Sequence, residues 1–196
     1  LVARTKRLLN CDRSSIFLLT ESGQELTTIF AENTPQISIP ADSHSIAGES
    51  VTRGNIINLE RAADHPSFNA NIDRQTGYKT RSMLVMPIRK LDLLSAEKNG
   101  DDEDDSQPIG YSNEPPIGVI QCINKLGIAR SSENDVDEDG HPVFNQDDVK
   151  RLDEFTRNVT PVFEKVGFKK RPAKAKNQLT SDWVQNIATI ATLDVL

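Results

Sequence analysis

The chain has 196 residues, 36% of them hydrophobic and 27% charged, a length that favours one domain with appendages over two full domains. No run approaches the roughly 18 apolar residues of a membrane-crossing helix and no secretory leader is legible, so a cytoplasmic protein with no membrane span is expected. The net charge of −6 is concentrated: residues 97–105 and 133–139 carry −5 each and residues 169–176 carry +5, which leaves a nearly neutral core and no basic surface for nucleic acid.

Cys11 and Cys122 lack CxxC spacing, and His44, His65 and His141 stand at no metal-ligand spacing. Two reduced, buried thiols are expected, with no metal and no cofactor. Leu1, in place of an initiating Met, reads as a segment of a longer protein.

In chain order, residues 1–10 read as the end of an amphipathic helix with Val2, Leu8 and Leu9 apolar. Ser15 to Leu19 is a strand, and Leu26 to Phe30 is its hairpin return after the turn ESGQE. Ser45 has the chemistry of a helix N-cap and Gly54 that of a stop. Ile46, Ala47 and Gly48 between them suggest close packing at the helix start. Asn55 to Leu59 is a short strand.

The stretch His65 to Ile88 organises the rest. Its first half is polar, broken by Pro66 and Gly77, and reads as a loop or short helix. Its second half, from Met83, is apolar and reads as a buried strand. Residues 91–116 form a long acidic, then Pro-rich loop. Ile117 to Ile123 is a strand in which Gln121 faces away from Ile120 and Cys122. From Asn145 a helix runs to about Val166, burying Val149, Leu152, Phe155, Val159, Val162 and Phe163. After the basic run 169–176, a last helix carries Trp183, Ile187 and Ile190. The order implies an α+β fold, a central antiparallel sheet with helices on both faces. The domain boundary falls at 1–168, with 169–196 a basic linker and connecting helix.

The strings CDRSSIFLL (11–19), IPADSHSIAGESVTRG (39–54), FNANIDRQTGYKT (68–80), GVIQCINK (118–125) and FNQDD (144–148) stand in an order that resembles the GAF domains of cyclic nucleotide phosphodiesterases. The resemblance covers about residues 1 to 166. It implies the GAF fold, a regulatory pocket for cAMP or cGMP, and a phosphodiesterase catalytic domain downstream in the same chain. It implies that Ser15 reaches the purine, Phe30 stacks on it and Ala31 offers backbone beside it. Ile46, Ala47 and Asn69 would turn backbone N–H groups to the cyclic phosphate. Asp73, Thr76 and Thr80 would line the ribose and phosphate side, and Gln121 would meet the base edge. Asn124, Lys125, Phe144 and Asp148 match the family's structural motif, in which the Lys and Asp pair as ions; Val149 stands where an acid is usual. Related cGMP-binding members place acids at the positions of Ala31 and Gln121. A Gln amide both donates and accepts, which suits adenine, so cAMP is favoured over cGMP.

Three other readings are weighed against this one. DVDEDG (135–140) opens like an EF-hand loop, but the twelfth position is Gln146, Pro142 intrudes and no helix precedes it. Catalysis in this segment has no support from a metal-binding histidine set, a P-loop or GxSxG. The alternative is a dimerising or scaffolding GAF module without bound nucleotide, pairing as a homodimer through its flanking helices.

Overall fold

A computed structural model describes residues 1–31, 37–92, 110–127 and 135–165. The basic run, the last helix and the acidic part of the 91–116 loop lie outside the described residues.

The elements are α1 (Val2–Leu9), β1 (Cys11–Leu19), β2 (Glu25–Ala31), β3 (Ser38–Pro40), α2 (Ile46–Arg53), β4 (Ile57–Leu59), a 3-10 turn (Ala62–Asp64), α3 (Ala70–Thr76), β5 (Met83–Ile88), β6 (Gly118–Lys125) and α4 (Gln146–Lys165). The six strands form one sheet in the order β3-β2-β1-β6-β5-β4, with antiparallel neighbours throughout. The strands therefore run beyond the expected limits at several ends; β1 begins at Cys11, four residues before the apolar core of the strand. Both rims, β3 and β4, are three residues long.

One face is closed by α1 and α4. Leu9, Ile16, Leu84, Met86, Ile120, Cys122, Leu152, Phe155 and Phe163 form its core. The buried stripe of α4 also takes Thr156 and Thr160, fully enclosed. Their hydroxyls donate to the carbonyls of Leu152 and Thr156, at 2.7 and 2.8 Å, so neither enters the core with an unmet donor. The start of α4 is a reciprocal cap: Asn145 Oδ1 accepts from the Asp148 N–H at 3.0 Å, and Asp148 Oδ2 accepts from the Asn145 N–H at 3.2 Å.

The opposite face is covered by α2 and the chain that follows. Ile46, Ala47, Val51, Ala62, Met83, Val85 and Val119 cluster there, with Phe68 and Ile57 at the margin. Ser45 caps α2, its Oγ accepting from the Gly48 N–H at 2.9 Å, and Gly54 ends it in the left-handed region at φ 66. Gly48 has a second reason to be glycine. A Cβ there would lie 2.1 Å from the Asp42 carbonyl oxygen and 2.7 Å from that of Pro40, so the helix start rests directly on the backbone before it.

Cys11 and Cys122 are both free and buried, as expected. Burial pushes the Cys122 thiol well above its ordinary range and keeps it uncharged. Among the described residues no helix is long and apolar enough to cross a membrane.

Candidate functional site

The strand register lines up Ser15, Gln121, Val85 and Ile57 across the sheet. Because side chains alternate, this row lies on the α2 face, and it puts two half-buried polar residues, Ser15 and Gln121, side by side at the centre of a surface otherwise built from Phe17, Val85 and Val119. Gln121 Nε2 lies 3.7 Å from Met83 Sδ, a weak contact for an amide donor. The backbones of Phe30 and Ala31 stand opposite Ile16 and Ser15 on β2; their side chains lie outside the described residues.

Ile46 and Ala47 are the first two residues of α2 and are buried. The Ser45 hydroxyl takes the N–H of Gly48, and the Ser45 carbonyl takes that of Glu49 at 2.8 Å. The N–H groups of Ile46 and Ala47 precede any intrahelical acceptor, as at every helix start, and they sit at the positive end of the helix dipole.

Asn69, exposed, begins α3 and spends its side chain there: Oδ1 accepts from the Asn71 N–H at 3.1 Å. Asp73 and Thr80 meet across the end of this helix. One Asp73 oxygen accepts from the Thr80 N–H at 2.7 Å, the other from its hydroxyl at 2.8 Å. Thr76 turns its hydroxyl back to the Ile72 carbonyl at 2.8 Å and accepts from the Tyr78 N–H at 3.3 Å. The expected residues therefore fall into three groups: the Ser15–Gln121 row on the sheet, the N-terminal turn of α2, and α3 with its exit to Thr80.

Two ties join the groups. Glu49 of α2 accepts from the Ser67 hydroxyl at 2.6 Å and pairs with Arg53 at 3.1 Å, while His65 Nε2 lies 3.9 Å away. The Ser67 hydroxyl, with Arg53 and His65, holds the Glu49 carboxyl below the ordinary carboxylate range. The second tie is Tyr78. Its hydroxyl donates to Asp12 at 2.6 Å and accepts from Asn124 Nδ2 at 2.9 Å, and the Arg13 guanidinium stacks on its ring at 3.6 Å. Burial, and then the Asp12 carboxylate, push the phenol upward, so it stays a donor. Asp12, Arg13, Glu49 and Ser67 carried no role in the sequence. The available signal was an aromatic, Tyr78, at the end of a polar stretch, directly after Gly77.

The motif residues lie just beyond. Asn124, left-handed at φ 55, also donates to the Lys79 carbonyl at 2.9 Å and accepts from the Arg81 N–H at 2.7 Å. Lys125 Nζ donates to the Leu9 carbonyl at the end of α1 and to Asp148 Oδ1 of α4, each at 2.7 Å. Asp148 is 3% exposed and Lys125 18%, so the pair is shielded from solvent but hydrogen-bonded on both sides. Buried Phe144 lies beneath the ammonium, its ring centroid 5.9 Å away. Val149 packs against the apolar core, and the Lys125–Asp148 pair forms beside it.

Asp137, Asp139 and His141 bring one donor atom each within 4.8 Å of one another. The Asp137 carboxylate already accepts from the N–H groups of Asp139 at 3.0 Å and His141 at 2.8 Å. Asp135 accepts from Asn145 Nδ2 at 2.9 Å. The acids that open like an EF-hand shape their own loop.

The GAF domain family profile matches residues 1–160. A probable 3',5'-cyclic phosphodiesterase of Caenorhabditis elegans, pde-5, is 34% identical over 152 residues, which take in 71% of this chain and 17% of that protein. The chain thus corresponds to a small part of that relative's length. Among solved structures, the GAF domain of a phosphoenolpyruvate-protein phosphotransferase from Coxiella burnetii superposes with a TM-score of 0.56 at 13% identity, covering 82% of this chain and 76% of that one. The corresponding domain from Acinetobacter gives 0.54 at 17%, covering 82% and 75%. A type II free methionine-R-sulfoxide reductase from Thermoplasma acidophilum gives 0.51 at 17%, covering 82% and 86%. At these identities the structures show a shared fold.

Proposed function

The chain belongs to the GAF domain family, and from that membership we propose that it binds a cyclic nucleotide, cAMP in preference to cGMP, and regulates a phosphodiesterase catalytic domain in the same polypeptide. The observation that carries the reading is the Ser15–Gln121 row, a polar centre on a largely apolar face, with the start of α2 packed on that face and tied through Glu49 to Ser67 of the polar segment.

The chemistry is consistent with that ligand. A cyclic phosphate carries one negative charge, and the N–H groups of Ile46 and Ala47 suit it without a buried arginine. Gln121 can donate to and accept from an adenine edge, whereas the paired donors of guanine call for a carboxylate. The ligand would order the segment from Asp64 to Thr80 as a lid and bias the flanking helices α1 and α4 through Asn124 and Lys125.

Calorimetric titration of the nucleotide-free chain with cAMP and then cGMP tests the proposal. Saturable binding of cAMP at least tenfold tighter than cGMP, about 1.4 kcal/mol, is the expected result. Tighter cGMP binding overturns the selectivity argument. No binding of either, checked by equilibrium dialysis, leaves the dimerising or scaffolding module, which sedimentation would then reveal as a self-associating chain. Hydrogen exchange over residues 64–80 should slow on saturation with ligand; unchanged exchange sinks the lid.

A further inference from the structure

Tyr78 ties down the segment assigned above as the cover of the site, and it is not among the residues assigned to the ligand. The chain leaves α3 through left-handed Gly77 (φ 67) and at once lays the Tyr78 ring under Arg13. The phenol hydroxyl is held from both central strands, by Asp12 of β1 and Asn124 of β6. Asn124 then grips the backbone on either side of Thr80, at Lys79 and Arg81. Thr80 is held in turn by Asp73 of α3. The exit of α3 is fastened to the sheet through two side chains, Tyr78 from the segment and Asn124 from β6.

We propose that Tyr78, clamped between Asp12 and Arg13, is the latch of the nucleotide site, and that opening this latch gates both entry and exit of the ligand. The inference rests on the functional reading above. Lifting residues 70–80 from the sheet breaks a charge-assisted hydrogen bond and a cation–π stack together. Neither is a ligand contact, so their loss favours opening by the same factor in the free and the bound chain, beneath the extra closure that the ligand adds. Loss of the latch accelerates arrival and departure by the same factor and leaves the dissociation constant unchanged. A residue that touched the ligand would change the dissociation constant.

The test uses Tyr78→Phe, which keeps the ring and removes the hydroxyl, and Arg13→Ala at an exposed side chain. Hydrogen exchange is measured over residues 77–82 of the nucleotide-free chain, with stopped-flow association and dissociation of cAMP alongside. The expected result in both variants is exchange at least about fivefold faster, with both rate constants raised by a similar factor and the dissociation constant within about twofold of the parent. Unaltered exchange in both variants overturns the latch. So does a faster dissociation with an unchanged association rate, the mark of a ligand contact. Failure of the parent chain to bind either cyclic nucleotide defeats the functional reading instead. The exchange data then still decide whether Tyr78 fastens the segment.

Discussion

The two faces of the sheet are built from the same strands and differ in what covers them. On one, α1 and the 20-residue α4 close an apolar core, and each buried threonine bonds a carbonyl of its own helix. On the other, an eight-residue helix and irregular chain cover a surface whose centre is Ser15 and Gln121. Polar side chains in that position contribute little to folding, because they give up water without gaining apolar contact. The first face carries the stability of the domain, and the second gives some of it up at its centre, which is the property a binding surface needs.

The sharpest way to break this contrast is at the link between α1, β6 and α4. Lys125→Met leaves Asp148 as a shielded carboxylate without its cation, and urea unfolding should show a loss of about 4 kcal/mol. Leu152→Ala opens a cavity at a fully buried position of the helical face and should cost about 3 kcal/mol by the same measurement. On the opposite face, the double substitution Ser15→Ala and Gln121→Ala should change unfolding free energy by less than about 1 kcal/mol while weakening cAMP binding at least tenfold. Gln121→Glu sharpens the point: titration should show selectivity moving toward cGMP, since a carboxylate accepts from the guanine N–H donors. A loss of stability comparable to that of Leu152→Ala from the Ser15 and Gln121 pair would erase the distinction between the faces.

The smallest effect concerns acid. The folded state lowers the Glu49 carboxyl, chiefly through the Ser67 hydroxyl. Its contribution to stability is therefore complete above the unfolded value near pH 4.5 and is lost as pH falls through the lower folded value. Thermal melts from pH 7 to pH 3 should fall less steeply below about pH 4.5 for Glu49→Gln than for the parent chain. An identical acid slope would show that the tie between α2 and Ser67 adds nothing to stability.

Much of the first face was legible in the sequence, since Leu152, Phe155, Val159 and Phe163 repeat with helical spacing and Met83 to Ile88 form an unbroken apolar run. The caps of α2 were legible too, because Ser45 and Gly54 have a local chemistry that does not depend on the rest of the fold. The second face was legible only through its resemblance to known GAF domains. Seven mostly polar residues make α3, and nothing in their pattern separates a helix from a loop until Asn69 is seen capping it. Partner choice was hidden as well. Thr76 bonds its own helix, Thr80 bonds Asp73, and Tyr78 reaches Asp12, 66 residues earlier. Such pairings carry no periodicity, so only the folded register reveals them.

The brevity of β3 and β4 has a consequence for how such domains live beside one another. A foreign strand laid along either rim would find three residues to pair with, and at Pro40 no N–H to bond. Among the described residues, these two rims are poor templates for extension. Beside a second copy, the domain would meet it through helices and loops rather than through these two rims.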